Sequence, residues 1–257
     1  MRWGFLNTGF RDGNGNMKFD EELALRLRNA IGPCTLRVYG WQPYTISIGF
    51  NQCMEDFDLH KIHEYGIDIV RRPTGGRAIL HAHELTYSIA MYIESRSPRE
   101  IYRYISEGLL HSLKLLGIDA QLSTNEINFQ QHYQNPSSIP CFSHSTKYEI
   151  QFNECKLIGS AQRRYANVVL QHGSILLGPQ HRQIVEFLAP HVQDSKKILE
   201  DYLAAHTIDI ETILGRSVSF DETAECIKKG FESAWNMTFE NDVTLTTEAM
   251  YLEAYEK

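Results

Sequence analysis

A glycine-containing turn between two strand-like segments is the feature that most constrains the fold of this chain. Residues 67–72 have a strand-like pattern, the turn Pro73–Gly76 follows, and the chain returns through residues 77–81. Two adjacent glycines allow positive φ and a close approach of the backbone to a neighbouring strand or to a ligand. The turn therefore predicts a strand–turn–strand junction, which either serves the packing of a sheet or holds a ligand.

Helical and strand-like patterns alternate along the chain, which predicts the mixed α/β class with a mixed sheet. Apolar side chains occupy alternate positions over 85–93, the pattern of a half-buried strand. Ser97–Glu100 combines a capping box with a proline at the first helical position, and predicts a helix that ends at Gly117. A first helix is predicted over 17–30, and a second capping box is predicted at Ser219–Glu222. Further strands are predicted over 35–39, 44–50, 67–72, 77–81, 146–152, 155–160 and 174–177 and near Val168, and further helices over 181–189, 208–214, 219–236 and 247–256.

Neither a linker nor an internal repeat divides the 257 residues, and the hydrophobic fraction of 42% is ordinary for a globular protein. We therefore expect one domain over 1–257, made of a catalytic core over 29–216 and a helical C-terminal extension over 217–257. Residues 123–140 are polar and rich in turn formers, which predicts a long surface loop of the kind that often carries function. No segment resembles an exposed dimer interface, so a monomer is expected.

The formal net charge of −7 argues against a nucleic-acid-binding protein, which normally has a basic face. It does not exclude acidic protein partners, because a local basic patch can steer an encounter whatever the total charge. The arginines that either form such a patch or are simply solvated beside strands are Arg71, Arg72, Arg77, Arg163 and Arg164.

The five cysteines form no CxxC pair and are odd in number, which favours a reducing compartment over a disulfide framework. The N-terminal segment MRWGFLNTGF lacks the apolar region of a signal peptide, and no apolar stretch approaches membrane-spanning length. We expect a cytoplasmic protein without a membrane partner.

Lys156 opens an otherwise apolar strand-like segment. A buried ammonium is costly unless it meets negative charge, so this position indicates either a functional cation or a lysine at a sheet edge whose side chain extends to water. Cys155 precedes it, but neighbouring residues of a strand face opposite sides. We therefore do not expect Cys155 and Lys156 to share a site.

Cys141 follows Pro140 at the end of the polar loop. An isolated cysteine is more often an inert apolar side chain than a nucleophile, but a nearby cation makes a thiol reactive by lowering its pKa. Lys156 lies further along the chain, across a hairpin predicted at Asn153–Glu154, so the two side chains can meet.

Motifs in a fixed order connect these candidates to a known family. They are NMKFDEELAL at 16–25, RRPTGGRAILH at 71–81, KLIGSAQ at 156–162 and LQHGSILLG at 170–178. Together they resemble the biotin/lipoate protein ligase and acyltransferase superfamily, over roughly residues 1–215. The segment PCFSHSTKYEIQF at 140–152 is similar to the cysteine-dependent octanoyltransferases of the Gram-positive type.

The resemblance implies an octanoyltransferase with the catalytic core of the biotin/lipoate ligases. Cys141 would carry the octanoyl group as a thioester, and Lys156 would be the family's essential lysine. The donor would be octanoyl acyl carrier protein and the acceptor a lysine of a lipoyl domain, such as the glycine cleavage H protein or a dehydrogenase E2, with no cofactor. The substrate-binding residues implied are Arg71, Arg72, Thr74, Gly75, Gly76, Arg77, His81, Gly159, Ser160, Ala161 and Gly173, and the candidate walls for the alkyl tail are Val70, Ile79, Ala161 and Val169.

Two other activities of the same superfamily remain open. An ATP-dependent lipoate ligase typically has an Asn-Asp pair shortly before the lysine, where this chain has Tyr148 and Glu149. An amidotransferase would move octanoyl between two lipoyl domains, also through cysteine, although the segment HELTYS at 83–88 favours the type that depends on an acyl carrier. A non-catalytic relative is disfavoured, because the chain retains Cys141 and Lys156.

One position departs from the family pattern. An acidic residue usually follows the histidine of the glycine motif directly, but here Ala82 follows His81. Either the acid is dispensable for acyl transfer or the local geometry differs. His81 and His83 would share a strand face, yet the sequence offers no obvious third ligand, so no metal site is expected.

Overall fold

Two β-sheets organise the protein. The structure is a computed structural model and describes residues 2–123 and 149–240. The strands are β1 (Trp3–Arg11), β2 (Cys34–Trp41), β3 (Thr45–Ile48), β4 (Asp68–Arg71), β5 (Ile79–His81), β6 (Glu84–Tyr92), β7 (Gln121–Leu122), β8 (Ile150–Phe152), β9 (Cys155–Tyr165) and β10 (Val168–Leu176). The helices are α1 (Gly13–Arg28), α2 (Leu59–Glu64), α3 (Pro98–Leu115), α4 (Lys196–His206), α5 (Ile210–Leu214) and α6 (Phe220–Trp235), with 3₁₀ segments at Pro179–Phe187 and Pro190–Ser195.

Both sheets mix parallel and antiparallel pairs. The larger one has seven strands in the order β1-β2-β6-β10-β9-β8-β7, in which β1 and β2 are parallel and the other pairs antiparallel. The smaller one has the order β4-β3-β5, with β3 parallel to β4 and antiparallel to β5. The predicted mixed α/β class with a mixed sheet is confirmed.

The helical C-terminal part packs into the same hydrophobic core as the larger sheet. Ala224, Ile227 and Phe231 of α6 are buried together with the apolar side chains of β2, β6 and β10. At the other end of the chain the Trp3 ring lies 4.7 Å from the Trp235 ring, and Glu240 N donates to Trp3 O at 2.8 Å. Among the described residues, no helix combines the length and apolarity needed to cross a membrane.

Strand β1 was not predicted, because its pairing is irregular. Its register against β2 shifts between Asn7 and Phe10, and Gly9 there has a φ of 61°. Such a bulge breaks the alternation that identifies a strand. The start of α1 was also placed too late: the helix begins at Gly13, because the Asp12 side chain accepts from Gly15 N at 2.8 Å and caps it.

Strand β6 is not half-buried as predicted, since every residue from Glu84 to Met91 is buried. Its polar side chains at alternate positions face other parts of the protein rather than water. Thr86, for example, accepts a hydrogen bond from the Trp41 indole at 2.8 Å. Alternation predicted the strand correctly but could not show that its second face is covered.

The predicted helix caps and helix types are confirmed only in part. The capping box of α3 is confirmed, with Ser97 and Glu100 bonding reciprocally. For α6, Ser219 caps the helix, but Glu222 pairs instead with Arg216 at 2.6 Å, so the second capping box was wrong. The helix predicted over 181–189 is a 3₁₀ segment, and the one predicted over 247–256 lies outside the described residues.

Candidate active site

The buried Arg72 side chain holds the glycine turn through hydrogen bonds to backbone carbonyl groups. Its guanidinium donates to Gly75 O at 2.9 Å, to Arg77 O at 2.6 Å and to Ser47 O at 2.9 Å. With 5% of its surface exposed, Arg72 cannot belong to an exposed basic patch. Its neighbour Arg71 donates to three carbonyl groups of the segment 49–52. Both arginines therefore bind carbonyl groups of the protein's own backbone.

The turn lies directly against the backbone of Gly49. A Cβ atom at Gly49 would lie 1.9 Å from Gly76 O, and Gly76 itself has a φ of 91°. Glycine is required at both positions, because any side chain would push the turn away or strain it. Gly75 differs, since a Cβ atom there meets nothing within 4 Å.

We expect Gly49→Ala to lower the free energy of unfolding by about 2 kcal/mol, because the turn must move to admit the methyl group. Gly75→Ala is the matched control for stability, with an expected change within about 0.5 kcal/mol at this exposed position. Urea denaturation of the three proteins measures the difference. Equal stability of the two variants would contradict the close contact between Gly49 and Gly76.

A second set of buried contacts, through the Thr74 side chain, also holds the turn. Thr74 Oγ1 lies 2.7 Å from His172 Nε2, and His172 Nδ1 lies 3.1 Å from Asp20 Oδ2. Asp20 is fully buried and also binds Arg37 at 2.7 Å and Tyr39 at 2.8 Å. Burial alone would raise the pKa of Asp20, but Arg37 and His172 outweigh it and the pKa is lowered. The Asp20 carboxylate thus fixes the ring of His172, which in turn fixes Thr74.

His81 has an acidic partner after all, three residues along the chain rather than one. His81 Nδ1 lies 3.1 Å from Glu84 Oε1, and Nε2 lies 2.7 Å from Ser47 Oγ. Its ring stacks on Trp41 at 4.0 Å, and the indole donates to the same Glu84 oxygen. Burial lowers the pKa of His81, although Glu84 acts in the opposite direction. The local geometry therefore differs from the usual histidine–acid pair, and Ala82 is simply a buried apolar side chain.

The two histidines of this segment do not act together. His83 has a φ of 43°, and its Nε2 lies 3.7 Å from a carboxylate oxygen of Glu211 rather than beside His81. Within residues 2–123 and 149–240, no group of three histidine, cysteine, aspartate or glutamate side chains is arranged to hold a metal ion.

A pocket lies where the glycine motif meets β9 and β10. Six of the expected substrate-binding residues line it: Arg72, His81, Gly159, Ser160, Ala161 and Gly173. The other described members of that set, Arg71, Thr74, Gly75, Gly76 and Arg77, are not among the lining residues. Of the expected tail walls, Ile79 and Ala161 line the pocket, whereas Val70 packs with Met17, Tyr39 and Trp41 and Val169 lies in the main core.

Sequence reasoning missed seven of the lining residues, namely Met17, Tyr39, Trp41, Ser47, Thr86, His172 and Ser174. Several of them are polar residues inside otherwise apolar strands. Ser174 is an example: it lines the pocket, and its buried hydroxyl has no hydrogen-bond partner within residues 2–123 and 149–240. A polar residue within a buried strand was the available sign of a pocket.

Lys156 is buried inside the protein and paired with a carboxylate. Its Nζ lies 2.6 Å from Glu149 Oε1, and the two side chains are 3% and 5% exposed. Strand β9 lies between β10 and β8, so the interpretation of Lys156 as a sheet-edge lysine reaching water is wrong. Lys156 is not among the residues that line the pocket.

The hairpin that carries Lys156 has the predicted turn. Asn153 and Glu154 have φ values of 48° and 64°, which fit a two-residue turn between antiparallel strands. Cys155 Sγ donates to Ala205 O at 3.3 Å, away from the Lys156 ion pair. Cys141 and Tyr148 lie outside the described residues.

Comparison with known proteins identifies the family. Residues 12–232 match the family model of the lipoyl protein ligase A/B catalytic domain. The chain belongs to this family. Among curated members that resemble it, the octanoyltransferase LipM of Geobacillus kaustophilus is 34% identical, covering 98% of this chain and 92% of its own. LipM of Clostridioides difficile is 35% identical, covering 100% of this chain and 96% of its own.

Solved structures share the fold of this lipoyl protein ligase A/B member. A putative lipoate protein ligase from T. acidophilum with bound lipoic acid superposes with a TM-score of 0.73 at 23% identity, covering 100% of this chain and 95% of its own. Lipoate-protein ligase A bound with ATP gives a TM-score of 0.73 at 22% identity, with the same coverage. At these identities the likeness establishes the fold alone.

Proposed function

We propose that this protein is an octanoyltransferase of protein lipoylation. The observation that carries the proposal is its similarity to octanoyltransferases along nearly the whole chain. The retained Cys141 and the buried, charged Lys156 supply the nucleophile and the cation that the reaction needs. We further propose octanoyl acyl carrier protein as the donor and a lysine of a lipoyl domain as the acceptor.

The reaction proceeds in two transfers. The Cys141 thiolate attacks the thioester carbonyl of the donor, a new C–S bond forms, and the carrier thiolate leaves and takes up a proton. The neutral ε-amine of the acceptor lysine then attacks the octanoyl-cysteine. An amide forms, the Cys141 thiolate is released, and the nitrogen loses a proton to solvent. Because the starting thioester is already activated, no ATP is consumed.

The Lys156 ammonium contributes positive charge to both transfers. A cation near a thiol favours the thiolate, and it also stabilises the oxyanion that develops on the attacked carbonyl. The glycine turn, held by Arg72 and by the hydrogen bond between Thr74 and His172, presents a fixed backbone beside the pocket. Such preorganised groups lose no energy to rearrangement during the reaction.

The octanoyl tail occupies the pocket beside Ala161 and Ile79. Burying its methylenes at about 0.8 kcal/mol each supplies enough affinity to select chain length loosely. The tail wall formed by Ala161 lies on β9, close to the small residues Gly159 and Gly173. A larger side chain at Ala161 therefore shortens the space for the tail.

We expect Ala161→Leu to lower kcat/KM for octanoyl donors by about 60-fold, since the leucine displaces roughly three methylenes at about 0.8 kcal/mol each. Transfer from a hexanoyl donor should fall much less, and Ala161→Ser is the control of nearly unchanged size. Competition between the two donors measures the shift. An equal loss for both chain lengths would contradict the placement of the tail.

The remaining expectations form part of the same proposal. We propose a monomer in the cytoplasm, with a catalytic core over 29–216 and a helical extension over 217–257.

Purified protein, octanoyl acyl carrier protein and a lipoyl domain, mixed without ATP, should give a lipoyl domain heavier by one octanoyl group. Transfer that occurs only with ATP and free octanoate would replace the proposal by a ligase, and transfer only from an octanoylated lipoyl domain would replace it by an amidotransferase.

A further inference from the structure

The ion pair between Glu149 and Lys156 lies in the protein interior. The oxygen and nitrogen are 2.6 Å apart, and neither side chain is more than 5% exposed. An isolated charge at such a position is strongly disfavoured, so the contact between the two opposite charges lowers the cost of burying both. The mechanism above uses the positive charge of Lys156 but leaves the carboxylate without a role.

Glu149 is held in place by its own backbone. Its carbonyl accepts from Ser123 N at 2.7 Å, at the end of β7. The following strand pairs with β9 through an irregular register, in which Gln151 opposes Lys156 and a shift separates it from Ile150. The carboxylate therefore approaches Lys156 from a fixed point just before β8, the strand adjacent to β9.

Other ionisable groups lie near the pair, but those described below are not carboxylates and do not supply the negative charge that Glu149 supplies. Tyr202 of α4 has its pKa raised by partial burial, with Lys156 and Glu149 acting on it in opposite directions. Beyond Thr207, which pairs with the backbone of Lys156, lie His181 and Arg182, and both bond to Thr207. Burial lowers the pKa of His181 to about 3, so it is neutral near pH 7. Within the described residues, Glu149 is the carboxylate that compensates Lys156.

Building on the proposed transferase, we propose that Glu149 is a positioning residue that acts through Lys156. Its carboxylate keeps the buried ammonium charged and fixed for acyl transfer. Without that negative charge, the cost of burying the ammonium favours the neutral amine. A neutral Lys156 supplies no positive charge to the thiolate or to the oxyanion, so transfer slows as the pH rises.

The test is the pH profile of single-turnover transfer in Glu149→Gln, which keeps the shape but removes the charge. The pH above which transfer falls (the alkaline limb of the profile) should decrease by about one to three units. This is the size of the pKa shift that a close opposite charge causes. At pH 8.5 transfer should fall about 10-fold or more, while at pH 6 it stays within about 3-fold of the unmodified protein. Glu149→Asp should restore the alkaline limb, and Glu154→Gln, an exposed change in the same hairpin, is the matched control.

A second measurement observes Lys156 itself. In protein labelled with ¹³C at lysine Cε, the Lys156 resonance is identified by its absence from Lys156→Arg and is followed against pH. We expect an ammonium up to at least about pH 9 in the unmodified protein, and titration about one unit or more lower in Glu149→Gln. This measurement does not depend on octanoyl transfer. It therefore tests the role of Glu149 even if the protein turns out not to be an octanoyltransferase.

The inference is overturned if Lys156 and the alkaline limb titrate alike in the unmodified protein and Glu149→Gln. It is also overturned if Lys156 of the unmodified protein is already neutral at pH 8. That second outcome is available even if Glu149→Gln fails to fold, because it needs only the unmodified chain.

Discussion

Cys141→Ala is expected to reduce octanoyl transfer by about 10⁴-fold or more and to remove the octanoyl adduct from the protein. The reason is chemical: alanine offers no atom that can hold the acyl group between donor and acceptor. Both the rate and the adduct are measurable by mass spectrometry. The variant should bind the lipoyl domain as well as the unmodified protein, because only the sulfur is lost.

The other cysteines provide the controls for that experiment. Burial raises the pKa of the Cys34 and Cys226 thiols, and the hydrogen bond that the Cys53 thiol donates to the Glu55 carboxylate raises the pKa of Cys53. Thiols of raised pKa are poor nucleophiles at neutral pH. Cys53→Ala and Cys226→Ala should therefore transfer octanoyl at rates close to that of the unmodified protein. An adduct that survives in Cys141→Ala would assign the nucleophile elsewhere.

Lys156→Met is expected to be damaging in two separable ways. Transfer should fall about 10²- to 10³-fold, because a preorganised cation is lost from the reaction. The free energy of unfolding should also fall by about 3–5 kcal/mol, because the Glu149 carboxylate stays buried and loses the Lys156 ammonium. A simple loss of activity in this variant is therefore ambiguous.

The double variant Lys156→Met with Glu149→Gln removes the ambiguity. It eliminates the unpaired charge, so most of the lost stability should return, while transfer should stay as low as in Lys156→Met. Urea denaturation and the transfer assay, applied to the two single variants and the double variant, complete the cycle. Recovery of transfer together with stability would mean that Lys156 serves only the fold.

Local patterns predicted the features that depend on neighbouring residues. Alternating apolar residues located β6, and turn chemistry located the hairpin at Asn153–Glu154 and the turn at Pro73–Gly76. The capping box of α3 follows from four consecutive residues. These features arise from backbone preferences that act over short distances, so the sequence is sufficient to predict them.

Long-range partners could not be predicted in the same way. Asp20 and His172 are 152 positions apart, and only the fold places them at 3.1 Å. Lys156 was expected near a negative charge or at an edge, yet nothing in the spacing identified Glu149 as its partner. Likewise the acidic residue missing after His81 is replaced by Glu84, which reaches back because the chain turns at His83.

The most direct test of this account is a trapping experiment with octanoyl acyl carrier protein alone. The protein, mixed with this donor without ATP or acceptor, should gain one octanoyl group on the peptide that contains Cys141. Adding a lipoyl domain should discharge the group quantitatively onto the acceptor lysine as an amide. No adduct on Cys141, or an adduct that the lipoyl domain does not accept, would contradict the account.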